Sequence, residues 1–295
     1  MREYVIFGDS TCDLPLELRQ QFDIQYVPMN YIVDDQEYVA SLDWEFHPPH
    51  AFYDLMRAGK RVFTTQVPKT VLTDTFTAVA ESGKDVLYIA CSSALSASYN
   101  AGRLVAEELK QTHPEANVVC VDSLISSLGQ GHLLLEAARN RDAGMSLQDN
   151  AAYIESIRLK VNQFGTVGSL EYLRRAGRVK ASKAFFGNLF GVKPLIISDI
   201  KGNNYAYKKA KGAVNARNAI ADLAVEAADG NHEVLYLSHA DCQEDIELLR
   251  EEILKRSAFK EVIVNYIGPI VGASVGPGTI IAYTFGKEVT IEGNE

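Results

Sequence analysis

A chain of 295 residues, 47% hydrophobic and 23% charged, has the composition of a soluble globular protein and the length for one or two cores. Its net charge of −9 argues against non-specific adhesion to nucleic acid or to an anionic membrane, and the short basic run Lys208, Lys209, Lys211 does not overturn that. The four cysteines form no CxxC pair and the six histidines lack ligand spacing, so a reduced, cytoplasmic protein without a metal centre is expected.

Arg2 and Glu3 lead into an apolar run too short for a signal peptide, and that run, Tyr4–Phe7, reads as a strand. A helix near Pro15–Phe22 and an extended stretch Ile24–Val33 follow, then helices around His50–Ala58 and Pro68–Ser82. The strand Val86–Cys91 runs into a loop of hydroxyls (Ser92, Ser93, Ser96, Ser98), and a helix begins near Tyr99. The strand Asn117–Val121 precedes a long helical region broken at Ala143-Gly144, with Ser146 as the next cap. Beyond it come a strand at Gln163–Val167, a helix over SLEYLRRAGRVKASK, and a hairpin turning at Lys201-Gly202-Asn203. An Ala-rich helix (Ala210–Ala228), a strand, a helix (Gln243–Arg256) and two last strands, Val262–Tyr266 and Thr279–Phe285, complete the chain. Val262 to Gly286 carries no charge, but Asn265, Pro269, Pro277 and interspersed glycines break it, so it reads as two buried strands around a glycine turn.

The pattern predicts an α/β fold of two domains: residues 1–150 with a doubly wound parallel sheet, and residues 151–295 with a mixed sheet, the boundary falling between about Asp142 and Lys160. In the first half, apolar strands repeatedly end in hydroxyl-rich loops that open helices: Asp9-Ser10-Thr11, Thr64-Thr65, Ser92-Ser93, and Asp122-Ser123. In a parallel sheet such loops gather at the carboxyl edge, where ligands bind. The serine loop has no Lys, Arg or His. Free amides and hydroxyls at a helix start suit one carboxylate or phosphate, while ordinary capping serines read equally well at this point. Asp9 and Asp122 read as loop-bonding carboxylates rather than metal ligands.

DSTCDLP, TTQVP, SSALSASYN, SLEYLRRAGRVKAS, GVKPLI and GPIVGASVGPGT occur in that order, and with them the chain resembles the DegV family over essentially its whole length. The resemblance implies a protein that binds a long-chain fatty acid between two α/β domains, and in some members presents it to a separate fatty acid kinase. It implies that Thr64 and Ser93 hydrogen-bond the carboxylate, with Thr65, Ser92 and Ser274 beside them. The fatty acid is then a ligand, and no cofactor is expected. Lys208 and Arg178 become candidate partner contacts. Five positions depart from the family pattern: Ala94 and Ala97 replace glycines and are expected to crowd the loop, Val67 replaces a proline, Ser274 replaces a histidine, and Lys208 replaces an arginine.

Two other readings fare worse. Gly272-Ala273-Ser274-Val275-Gly276 fits the G-x-S-x-G elbow of hydrolases, yet neither histidine nor aspartate follows it. No G-x-x-x-x-G-K-[ST] loop is present for an intrinsic kinase. The sequence reads as a lipid-binding carrier, with an enzyme acting on a small carboxylate or phosphate at the same loops as the alternative. Met29, Phe52, Phe76, Phe164, Phe185, Phe186 and Phe190 are candidates to line a tail slot, with core filling the default for each.

Overall fold

The computed structural model describes residues 2–181, 185 and 191–293. The chain packs as two units. Met1–Phe46, Val62–Arg158 and Gly268–Ile270 form the first; His47–Arg61, Leu159–Ile267 and Val271–Glu295 form the second. Phe186 and Phe190 lie outside the described residues.

The elements run β1 (Tyr4–Asp9), α1 (Leu16–Gln21), β2 (Ile24–Val27), β3 (Asn30–Val33), β4 (Gln36–Val39), α2 (Pro49–Arg57), β5 (Val62–Thr64), α3 (Lys69–Glu81), β6 (Asp85–Ala90), α4 (Ser98–Thr112), β7 (Val118–Asp122), α5 (Ser127–Asp142) and α6 (Leu147–Ile157). After a 3-10 turn come β8 (Val161–Thr166), α7 (Leu170–Ala176), β9 (Val192–Ser198), β10 (Asn204–Lys211), α8 (Gly212–Ala228), β11 (Val234–His239), α9 (Gln243–Leu254), β12 (Glu261–Tyr266), α10 (Pro269–Val275) and β13 (Ile280–Phe285). Among the described residues no helix is long and apolar enough to cross a membrane.

The main sheet of the first unit is parallel, in the order β2-β1-β6-β7. Every residue of β6 is buried, as expected of a strand covered on both faces. On one face Phe76 of α3 packs on Phe7 and Tyr88, and Gly102 lets α4 approach so closely that a Cβ there would lie 2.7 Å from the Tyr88 ring. On the other face Leu134 of α5 packs against Gly8. The sheet is therefore doubly wound. The chain leaves β1 toward β2 and leaves β6 toward β7, so the loops after β1 and β6 diverge at the point where the strand order reverses.

The extended stretch expected over Ile24–Val33 divides in two. Pro28 has no N–H for a ladder, and the Met29 amide donates instead to Ser10 Oγ (2.7 Å). The second half, β3, belongs to a separate antiparallel sheet, β4-β3-β5. Its hairpin turns at Asp34 and Asp35, both left-handed (φ 51° and 61°), a primed turn made by Asp-Asp where Asn-Gly is the usual sign.

The second unit holds a mixed sheet, β10-β9-β8-β13-β11-β12, in which β11 and β12 are parallel and the other pairs antiparallel. The Asp199 carboxylate accepts the Lys201 and Asn203 amides in the β9–β10 turn, and Gly202 takes φ 76°. The small side chains Ala216, Ala221 and Ala224 of α8 pack in one core with Leu235, Leu237 and Leu249. The segment expected as a glycine turn is instead α10. Pro269 suits a first helical position, and Gly272 serves close packing, since a Cβ there would lie 2.5 Å from the Tyr53 hydroxyl.

Gly168, just past β8, offers the sharpest packing test, because a Cβ at that position would lie 2.4 Å from the Pro277 carbonyl oxygen. Neither side of that contact is a movable side chain. Gly168→Ala is expected to cost about 1–3 kcal/mol in urea denaturation.

Candidate functional site

Three loops meet at the carboxyl edge of the parallel sheet, and the first is organised by acids. Asp9, fully buried at the end of β1, accepts hydrogen bonds on both oxygens. Its Oδ1 takes Thr11 N (3.1 Å) and Gln130 Nε2 (3.3 Å) and lies 2.5 Å from Thr11 Oγ1; its Oδ2 takes Cys91 N (2.9 Å) and Tyr88 OH (3.2 Å). Burial raises its pKa, and the bonds from Cys91, Thr11 and Gln130 oppose that rise. Asp13 accepts Ser127 Oγ (2.6 Å) and Gly268 N (2.9 Å). Burial pushes its pKa up to about 7, against the Ser127 and Gly268 bonds and with the help of the nearby Asp9 charge. Asp13 (φ 51°), Leu124 (φ 55°) and Ser127 (φ 54°) all adopt the left-handed region here, a strain retained where surrounding bonds over-determine it.

In the serine loop the structure corrects one expectation. The amides after β6 are almost all engaged within the protein. Cys91 N donates to Asp9, Ser92 N to Ile125 O (2.9 Å), Ser93 N to Asp122 Oδ1 (3.0 Å), and Ala94 N to Ser92 Oγ (3.2 Å). Leu95 N and Ser96 N donate to Ser92 O, and Ser98 N donates to Ser96 Oγ. An anion at this edge would therefore meet hydroxyls rather than a nest of free amides. Ser92 is buried and shapes the turn, whereas Ser93 is exposed. Ala94 and Ala97 are also exposed, so their methyls do not crowd the loop interior.

The third loop follows β5. Thr64 is half-buried and pairs with Tyr31, and Thr65 N donates to Asn30 O (2.9 Å). Thr65 Oγ1 is buried with no hydrogen-bond partner. Val67 fills a fully buried position, and its amide donates to Ser98 Oγ (3.0 Å), which ties this loop to the serine loop. Pro68 stands at the N-cap, so α3 starts at Lys69 despite the displaced proline. Thr64, Thr65, Ser92 and Ser93 thus fall on two bonded loops of the first unit.

The remaining candidates belong to the second unit. Ser274 is half-buried inside α10, which is not the strand–turn–helix setting of a nucleophile elbow. Lys208 is exposed at a bulge in β10, its Nζ 4.6 Å from the Tyr207 ring centroid, and the exposed Arg178 donates to Ala176 O (2.6 Å). A cavity of about 580 Å³ is lined in part by Val167, Leu170, Arg174, Lys193 and Pro194. His50, Asp54 and Asp241 cluster at the surface, but Arg57 bridges both carboxylates (2.8 and 2.6 Å) and supplies their counter-charge. Met29, Phe52 and Phe76 are fully buried core residues, Phe164 packs against the core of the second unit, and Phe185 is half-buried.

The roles of Asp13, Gln130 and Tyr88 are not readable from spacing. Their partners stand far away in the chain, as with Asp13 and Gly268, and only the DSTCD run with its paired acids hints at them. Burial raises the thiol pKa of Cys12, Cys91 and Cys120, which removes them as nucleophiles.

The model of the DegV family, described as an uncharacterised protein family, matches residues 3–285. A DegV domain-containing protein of Clostridium perfringens is 33% identical over 287 residues, covering 97% of this chain and 98% of its own. A DegV family protein from Thermus thermophilus, described by its fatty acid binding, superimposes with a TM-score of 0.88 at 28% identity over 97% of this chain and all of that one. DegV of Bacillus subtilis, described as a fatty acid binding protein, gives a TM-score of 0.81 at 25% identity, again over 97% of this chain and all of its own.

The buried Asp13 generates a prediction about stability. Its folded pKa, about 7, lies above the ordinary carboxylate value, so the folded state holds the proton more tightly than the unfolded chain. Its contribution is fully present below about pH 4 and is lost as pH rises through about 7. Asp13→Asn is expected to flatten this decline, gaining on the order of 2–4 kcal/mol relative to the parent between pH 5 and 8. Urea midpoints across that range measure the difference, and parallel pH profiles would contradict the assignment.

Proposed function

Because the chain belongs to the DegV family, we propose that it binds a long-chain fatty acid and holds the carboxylate by the hydroxyls of Thr64, Thr65 and Ser93. The observation that carries this reading is the buried, unpartnered Thr65 Oγ1, in a loop bonded to the one that displays Ser93. Buried hydroxyls rarely go unpaired, and a ligand oxygen would complete this one. The Thermus and Bacillus relatives, described as binding fatty acids, support the ligand class. Ser92 acts from behind, by turning the loop that displays Ser93.

The tail supplies most of the affinity. At roughly 0.8 kcal/mol per CH₂, a chain of ~14 methylenes offers on the order of 11 kcal/mol before ordering costs. The head group fixes register and orientation. We read the protein as a carrier in the cytoplasm that presents the lipid to a separate kinase, with the exposed Lys208 and Arg178 as contacts for that partner. The free thiols fit a reducing compartment.

Native mass spectrometry followed by solvent extraction tests the reading directly: a stoichiometric adduct with a fatty-acid mass is expected. A clean apo mass with no uptake of added palmitate or oleate would overturn it, and the same loops would then be examined as an enzyme site for a smaller anion. Thr64→Val combined with Ser93→Ala is expected to weaken binding about 10- to 100-fold in a fluorescent-lipid displacement assay. Unchanged affinity in the double variant would place the head group elsewhere.

A further inference from the structure

The loops after β6 and β7 are stitched together at the carboxyl edge of the parallel sheet. Ser123 N donates to Ala90 O (3.2 Å) and Ser92 N to Ile125 O (2.9 Å), both between main-chain groups. A further link uses a side chain: Asp122, the last residue of β7, accepts Ser93 N on its Oδ1 (3.0 Å). The same oxygen accepts Leu124 N (3.1 Å), from the residue whose φ of 55° turns the chain. Arg158 Nη1 donates to the Asp122 main-chain carbonyl oxygen (2.8 Å) and so holds the end of the strand. Asp122 is buried, while Ser93, one hydrogen bond away, is exposed.

Both amides go to one oxygen, and the carbonyl oxygen of an asparagine accepts two amides equally well. The loop therefore needs an acceptor at residue 122 but has no need of its charge. Among the described residues the other oxygen, Oδ2, accepts no hydrogen bond. Arg158 spends its bond on the main chain rather than on the carboxylate. The negative charge thus stands directly behind the serine assigned to the ligand head. A ligand oxygen bonded to Ser93 Oγ lies no farther than about 9 Å from Asp122 Oδ1, roughly the Debye length of 0.1 M salt.

We propose that Asp122 is a positioning residue that also selects for head-group charge: it fixes Ser93 through the main-chain amide, and its charge biases the site toward a singly charged carboxylate and against a doubly charged phosphate. The proposal rests on the fatty-acid reading above and deepens it. The hydroxyls of Thr64, Thr65 and Ser93 donate to either head and do not by themselves tell one charge from two. Repulsion from a fixed like charge does, because it grows in proportion to the charge of the ligand and vanishes for a neutral head. Such a repulsive element is a common source of specificity where the attractive contacts are shared. Asp122→Asn changes this one charge and keeps the acceptor. Comparing ligands in that variant therefore reads the charge of residue 122 alone, whatever the other ionised groups at the edge contribute.

Three ligands of one chain length test this: dodecanol, laurate and dodecyl phosphate, each as monomer, displacing a fluorescent lipid from the intact protein. At pH 8.5 their heads carry about zero, one and two negative charges. In Asp122→Asn, laurate is expected to bind about threefold tighter and dodecyl phosphate about tenfold tighter than in the parent, with dodecanol unchanged within about twofold. Asp122→Ser removes the charge and shortens the side chain. Its binding of all three ligands is expected to weaken relative to Asp122→Asn, but the gain of phosphate over laurate, and of laurate over alcohol, should persist. An equal change for all three heads in Asp122→Asn, no change, or loss of all three would assign Asp122 a structural role only and overturn the selection. Failure of the parent to bind laurate would overturn the fatty-acid reading, and the selection with it.

Discussion

The first unit depends on one carboxyl group bonded across two strands. Asp9 ends β1, and its Oδ2 receives the amide of Cys91, the first residue beyond β6. This joins the two loops that diverge at the reversal of strand order, so the opening of the crevice and the start of the serine loop are set by the same side chain. A buried acid at this position costs desolvation, and its four N–H and O–H neighbours other than the Cys91 amide help to offset that cost. Hydrogen bonds to a buried polar network strengthen in low dielectric, which favours a single loop geometry over several.

Much of the fold can be read from local signals. The Ser146 cap, the break before it and the Lys201-Gly202-Asn203 turn each act through neighbours a few residues away, and each element appears where its signal lies. The doubly wound and mixed sheets follow from the alternation of elements. The misses share a cause. β4 is hidden because an Asp-Asp pair makes its turn, and α10 because its glycines read as flexibility when Gly272 serves a contact with Tyr53, over two hundred residues earlier. Long-range packing leaves no periodic trace in sequence.

The candidate site divides in the same way. Its residue types and the loops that carry them follow from strand–loop–helix grammar and from the family resemblance. Which donors are free does not. Whether Ser93 N is open or engaged depends on Asp122, which arrives from another strand, and the same holds for the unpaired Thr65 hydroxyl. Sequence marks where polar groups gather, while the hydrogen-bond ledger decides which of them remain for a ligand.

The interleaved connectivity of the two units constrains how the protein is made. The first unit takes its final piece from Gly268–Ile270, and the second takes an early piece from His47–Arg61. On the ribosome the parallel sheet can form long before its last strand-edge contact, Gly268 with Asp13, has been synthesised. Residues 47–61, with the Tyr53 hydroxyl that binds Ile267 O, emerge well ahead of their partners. Neither unit can be completed during synthesis of its own half, so the nascent chain must wait with unfinished surfaces on both. Such a chain is a natural client for a holdase, and it offers no clean point at which a protease or a gene truncation could separate one finished unit from the other.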